Sequence, residues 1–155
     1  MHHRRVTAGD VISARELAFL VAARTATLAT VAPDGRPRLV PVCFVVGGDG
    51  RVIHTPLDEK PKSVVDPHDL ERVRDIAARP EVGLLVDRWS EDWSELGWLR
   101  VDGSASLVEP GFDPDHGDAV AALRAKYPQY ASHALASRPI IRIVIERVRS
   151  WGELG

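Results

Sequence analysis

One cysteine and one methionine supply all the sulfur in this 155-residue chain. A lone Cys43 cannot close an internal disulfide, so nothing requires an oxidising compartment and the cytoplasm is the default expectation. No apolar run approaches the roughly 18 residues of a membrane span. Met1 to Asp10 carries His and Arg instead of the apolar core of a signal peptide. A charge excess is missing too: 20 Lys and Arg against 22 Asp and Glu leave a net charge of -2, with no general pull toward nucleic acid or an anionic membrane. The histidines, His2, His3, His54, His68, His116 and His133, form no H-x-x-x-H or H-E-x-x-H pattern, and no cysteine partners them at zinc spacing. A G-x-S-x-G elbow and a P-loop are likewise lacking. Metal-assisted hydrolysis, serine-type acyl transfer and P-loop phosphoryl transfer therefore have no sequence support.

What is present is strand and turn chemistry. Hydrophobic residues make up 45% of the chain, enough for one cored domain. "LATVAPDGRPRLVPV" sets two strand-like runs about Asp34-Gly35, a hairpin signal because Gly accepts the positive φ of a tight turn. The spacing predicts a strand over 25–31, its partner over 36–46, a turn at "GGDG" and a third strand over 51–55. Further strands are expected at "VGLLVD" (82–87), read as buried, at 98–108, and at the C-terminus, where Ile141, Ile143, Ile145 and Val148 recur. Ser13 and Glu16 have the form of a capping box ahead of a helix over 13–23. Asp66-Pro67 and Asp113-Pro114 each place a cap and a proline before an amphipathic run, Leu70, Val73, Ile76 and Ala77 in one, Ala119, Val120 and Leu123 in the other. Six strands and three helices without a βαβαβ rhythm predict a mainly β fold, an antiparallel barrel with flanking helices, over residues 13–155 behind a loose arm of residues 1–12.

Two stretches bear on ligands. Lys60, Lys62 and Ser63 lie in the loop after the third strand, with Arg72 and Arg74 in the next helix. Together they offer point charges, forks and donors to an anionic tail. A solvated loop interspersed with Asp58, Glu59, Asp66, Asp69 and Glu71 accounts for the same residues. "DRWSEDWSELGWLR" gathers Trp89, Trp93 and Trp98, three of the four tryptophans, which suits a flat aromatic ligand, a partner subunit, or a cap on the core. Cys43, between Val42 and Phe44, reads as a small buried hydrophobe.

In this order, "ATLATVAPDGRPRLVPVCFV", "DEKPK", "DLERVRDIAARPEVGLLVD" and "EDWSELGWLRVDGSASL" resemble the flavin- and deazaflavin-binding split-barrel superfamily that includes the pyridoxamine 5'-phosphate oxidases. They resemble most its branch that uses the deazaflavin coenzyme F420. The likeness spans most of residues 13–150. It implies a six-stranded split barrel with the hairpin as one wall of the cofactor site. Pro41, Val42 and Cys43 match the ring-contacting segment, and Ile53 and Thr55 the adjacent strand. Lys60, Lys62, Arg72 and Arg74 match the region that holds the phosphate-bearing tail. Trp98 and Arg100 fall where a second protomer approaches. The resemblance further implies a homodimer, a small-molecule substrate, hydride transfer carried by the cofactor, and no essential protein acid or base. FMN is the alternative cofactor, and a carrier without turnover is the non-enzymatic alternative. Arg142, Arg147 and Arg149 do not match the substrate-phosphate set of the pyridoxamine oxidases. Neither nucleic acid nor membrane is an expected partner.

Overall fold

A computed structural model describes residues 11–57 and 66–155. Among the described residues, the helices α1 (Ala14–Ala22), α2 (Glu71–Ala78) and α3 (Asp115–Lys126) flank one antiparallel sheet. Its strands are β1 (Ala26–Val31), β2 (Pro37–Val42), β3 (Val45–Gly47), β4 (Val52–Pro56), β5 (Glu81–Arg88), β6 (Gly97–Val108) and β7 (Ile140–Gly152), in the spatial order β2-β1-β5-β6-β7-β4-β3.

The sheet has seven strands where six are expected, and the reason lies in the second one. Along residues 38–46 the alternation never breaks: Val42 and Phe44 are buried in the main core and Val40 and Val46 pack against it, while Cys43 and Val45 face the other side. By period this is one strand. Its ladder partner changes, however, from β1 over Pro37–Val42 to β4 over Val45–Gly47. The two edges of the sheet are thus joined by only Cys43 and Phe44, so the sheet must curl round. No ladder pairing links β2 to β3 among the described residues, which leaves the barrel unclosed.

Leaving the ladder costs Cys43 and Phe44 their regular backbone partners, and buried backbone groups must find others. Thr55 Oγ1 donates to the Cys43 carbonyl at 2.8 Å, Lys126 Nζ to the Phe44 carbonyl at 2.9 Å, and the Phe44 N–H donates to the Tyr127 hydroxyl at 3.1 Å. The seam is held by side chains from β4 and the end of α3.

The remaining elements follow their local chemistry. Both hydrogen bonds of the Ser13/Glu16 capping box are made. Gly35 takes φ +87° at the β1–β2 turn, where Asp34 accepts from the Arg36 N–H at 3.1 Å. Asp66 accepts from the His68 N–H, but it opens a short 3-10 turn (Pro67–Asp69), and extended Leu70 separates that turn from α2. Ile12, assigned to the arm, is buried in the core at 3% exposure, and residues 1–10 lie outside the described residues. Strand β5 is buried on one face only: Val82, Leu84 and Val86 enter the core, while Leu85 is 40% exposed. Among the described residues no helix is long and apolar enough to cross a membrane.

Candidate functional site

The outer face of the sheet carries a register row. Pro41 of β2 lies opposite Thr27 of β1, Thr27 opposite Leu85 of β5, Leu85 opposite Arg100 of β6, and Arg100 opposite Arg149 of β7. Three strand spacings separate Pro41 from Arg100, about 14 Å across a sheet. The neighbouring rows bring Leu39 with Ala29 and Gly83 on one side, and Trp98 with Trp151 on the other. Leu39, Leu85 and Trp151 are 69%, 40% and 55% exposed. The face is therefore a shallow apolar strip ending in arginines. Asp102 offsets part of that charge, 3.3 Å from Arg147 Nε and 3.8 Å from Arg100 Nε.

The structure unites some of the residues singled out from the sequence and separates others. Pro41, Trp98 and Arg100 share the outer face, as the registers show. Val42 and Ile53 point inward and belong to the main core, Ile53 fully buried, so each can offer a ligand only its backbone. Thr55 is buried and spends its hydroxyl proton on the Cys43 carbonyl. Cys43 is half-buried at the seam. Arg72 is half-buried and Arg74 exposed on α2, while Lys60 and Lys62 lie outside the described residues. Trp89 and Trp93 are 67% and 72% exposed, so neither caps the core.

Sequence reasoning passed over four polar groups. Asp75 of α2 is 2% exposed, accepts from Thr30 Oγ1 at 2.9 Å and lies 3.0 Å from Arg38 Nε, which fastens α2 to β1 and β2. His68 links the turn before α2 to Glu109 at 2.6 Å, and that contact and the one to Asp66 raise its pKa. His54 is buried on β4, on the opposite face from Ile53 and Thr55. Burial first and then the Arg142 charge lower its pKa. The alternation of β4 was the available signal for its direction.

Lys126 is the fourth. Its ammonium sits 4.1 Å from the centre of the Phe44 ring, and burial followed by the Arg24 charge pushes its pKa down to about 8. A folded pKa below the unfolded one means that the cost of a buried charge is present below pH 8 and is relieved as the amine deprotonates. The chain should gain stability from pH 8 to 10 relative to Lys126→Met, read by urea unfolding at each pH. Parallel pH profiles for the two proteins would show that the seam does not strain this charge. Above pH 10 the burial-raised pKa of Tyr127 works in the opposite direction.

A family model described as pyridoxamine 5'-phosphate oxidase matches residues 12–152. The chain belongs to this family. Its split barrel, with the seam and the flanking helices, is the flavin-binding fold of that group. No curated protein matches the sequence. Among solved structures, a conserved hypothetical protein from Mycobacterium tuberculosis superposes with TM-score 0.71 at 22% identity, over 97% of this chain and 90% of that one. The haem storage protein of Vibrio cholerae aligns with TM-score 0.64 at 18% identity, over 87% and 89%. An F420 reductase aligns with TM-score 0.61 at 20% identity, over 85% and 94%. These likenesses show a shared fold among proteins of differing ligands.

Proposed function

We propose that this chain is a coenzyme F420-binding oxidoreductase that acts as a homodimer and passes a hydride between the deazaflavin and an unsaturated small molecule. The observation that supports it most is the outer-face row from Pro41 to Arg149. Its flat apolar floor of Pro41, Thr27 and Leu85 suits a planar ring, and Arg100 at the far end of the row suits the polar edge of the ring bound by the other protomer. The resemblance of "DEKPK" and "EDW" to the deazaflavin branch favours that cofactor over FMN.

The residues present fit such a group. Pro41, Val42 and Cys43 would line its ring, the last two through backbone groups, with Ile53 and Thr55 behind them. Lys60, Lys62, Arg72 and Arg74 would hold the anionic tail. Trp98 and Arg100 would reach the ring bound by the other protomer, since a two-fold contact presents the same patch twice. When bound, the deazaflavin supplies two-electron hydride transfer from its ring carbon. The chain's own part is to bind, to orient and to exclude water. Leu99 and Val101 are fully buried in the core, so a dimer contact on β6 would use their outward neighbours Trp98 and Arg100.

Anaerobic titration with F420 and with FMN, followed by absorbance, tests this reading. The deazaflavin should bind at least about tenfold tighter, a difference of about 1.4 kcal/mol. Lys62→Ala should weaken it by about 1.5–3 kcal/mol if the lysine meets a phosphate, less so in high salt. Equal affinity, or purification with FMN at full occupancy, would transfer the site to FMN. A monomer by light scattering at saturating cofactor would remove the shared site.

A further inference from the structure

A second cavity lies away from that row, over β3, β4 and β7. The groove, about 600 Å³, is roofed by α3, a size in the range of small-molecule sites. Residues 115, 118, 119 and 122 of α3 face it, at the i, i+3, i+4, i+7 spacing of one helical face. Its floor is apolar, from Val45, Val52 and Val144, and Gly47 adds no side chain.

One buried polar atom in this lining makes no hydrogen bond among the described residues. His54 is 6% exposed, lines the groove, and its Nε2 is buried without a hydrogen bond. Arg142 stands directly opposite His54 in the β4–β7 register. Its Nε is likewise buried without a hydrogen bond, although its Nη2 reaches Asp113 at 2.9 Å and Asp115 at 2.7 Å. An unmet buried polar atom costs about 1–3 kcal/mol, so native chains leave one for a reason.

The charges lining the groove are mixed: Asp115 and Asp118 on the roof and Arg51 just before β4, with Asp115 already paired to Arg142. A cation hydrogen-bonded to His54 would lie next to Arg142, its neighbour in the β4–β7 register, and an anion would pass the two roof carboxylates. A neutral molecule meets neither cost, and a neutral imidazole can serve it as donor or acceptor. Burial keeps His54 in that neutral form, its pKa being lowered. The groups facing His54 that bear on its charge are Asp113 and Asp115 with His116 from the α3 region and Arg142 from β7.

We propose that the groove between α3 and the β3–β4–β7 face binds a neutral, largely apolar small molecule through a carbonyl or hydroxyl oxygen hydrogen-bonded to His54. This site is separate from the cofactor row and stands whether or not the chain binds a deazaflavin.

Saturation-transfer NMR on the full chain with 2-acetonaphthone as probe tests it, alongside 2-naphthoate, 2-naphthylmethylamine and 2-ethylnaphthalene, with the His54 ring followed by ¹⁵N shifts. The ketone should bind best, at least tenfold tighter than the acid or the amine, and should shift the His54 nitrogens. His54→Phe should weaken the ketone to the level of 2-ethylnaphthalene. Ala122→Trp, which fills the groove from the exposed face of α3, should abolish binding, and Arg100→Ala on the cofactor row should leave it unchanged. Binding of the ketone that survives Ala122→Trp, or an Arg100→Ala loss equal to that of His54→Phe, would overturn the proposal. So would no binding by any probe to a folded protein, which would leave His54 and Arg142 to a buried water.

Discussion

Gly103→Ala will destabilise the chain by about 3 kcal/mol or more, the upper part of the range for overpacking a tight core. Gly103 lies on the inward face of β6 between Val101 and Ala105, both buried. A Cβ there would sit 2.4 Å from the Val144 carbonyl oxygen and 2.8 Å from Ile143 Cγ2. The first obstacle is backbone and cannot rotate away. It stands there because β7 is irregular at this point: Asp102 pairs with Arg147 and Gly103 with Ile145, so Glu146 is the extra residue of a bulge. A bulge bends its strand and sharpens the local twist, and here it brings the β7 backbone over β6. For a chain of this length the loss corresponds to a melting temperature lower by roughly 6–12 °C. Gly117→Ala is the control. It lies in α3, where an added methyl would meet nothing within 4 Å, and should gain about 0.5–1 kcal/mol from helix propensity. Equal midpoints for Gly103→Ala and the parent in urea would mean that the two strands are not in this close contact.

Read from the sequence as one alternation, Ile141, Ile143, Ile145 and Val148 miss this bulge, although Val148 breaks the parity of the three isoleucines, as a strand must when one residue is looped out. The capping box at Ser13 and the turn at Asp34-Gly35 were legible, because each is satisfied within a few residues. Partner choice was not. The 36–46 run has the correct period for a single strand, but only the three-dimensional path shows that its two halves pair with different neighbours. The buried reading of "VGLLVD" failed for a related reason. An apolar run does not say which face a single chain covers, and Leu85 lies on the face it leaves open.

That open face also divides the candidate site into a legible and a hidden part. Pro41, Trp98 and Arg100 lie together because β2, β1, β5 and β6 are consecutive in the sheet. Residues 41 and 100 are far apart in sequence, so only the family pattern could join them beforehand. The groove under α3 had no such pattern. His54 sits among apolar residues on a short strand, and the roof that buries it comes from a helix about 60 residues later along the chain. Long-range packing of this kind leaves no local signature.

Arg38→Met should cost about 3 kcal/mol, the lower end of the range for breaking a buried ion pair, since the arginine is 38% exposed. Arg38 bridges two acids of α2: Nη1 lies 2.8 Å from Glu71, which is 76% exposed, and Nε 3.0 Å from Asp75, which is 2% exposed. The two contacts differ in weight. The Glu71 contact is solvated, so Glu71→Gln should cost no more than about 1 kcal/mol. The Asp75 contact neutralises a carboxylate buried between α2 and the sheet, and its loss leaves only the Thr30 hydroxyl, 2.9 Å away, to satisfy that group. The double variant Arg38→Met/Asp75→Leu should recover much of the loss, because an apolar pair of similar size removes the buried charge instead of stranding it. Urea midpoints for the four proteins decide the matter, and equal losses for Glu71→Gln and Arg38→Met would show that the buried contact carries no special weight. The consequence reaches the proposed cofactor site as well. Asp75 fixes α2 against β1 and β2, and the same helix presents Arg72 and Arg74. A chain that tolerates Arg38→Met in stability but loses affinity for an anionic tail would place the value of this ion pair in positioning those two arginines.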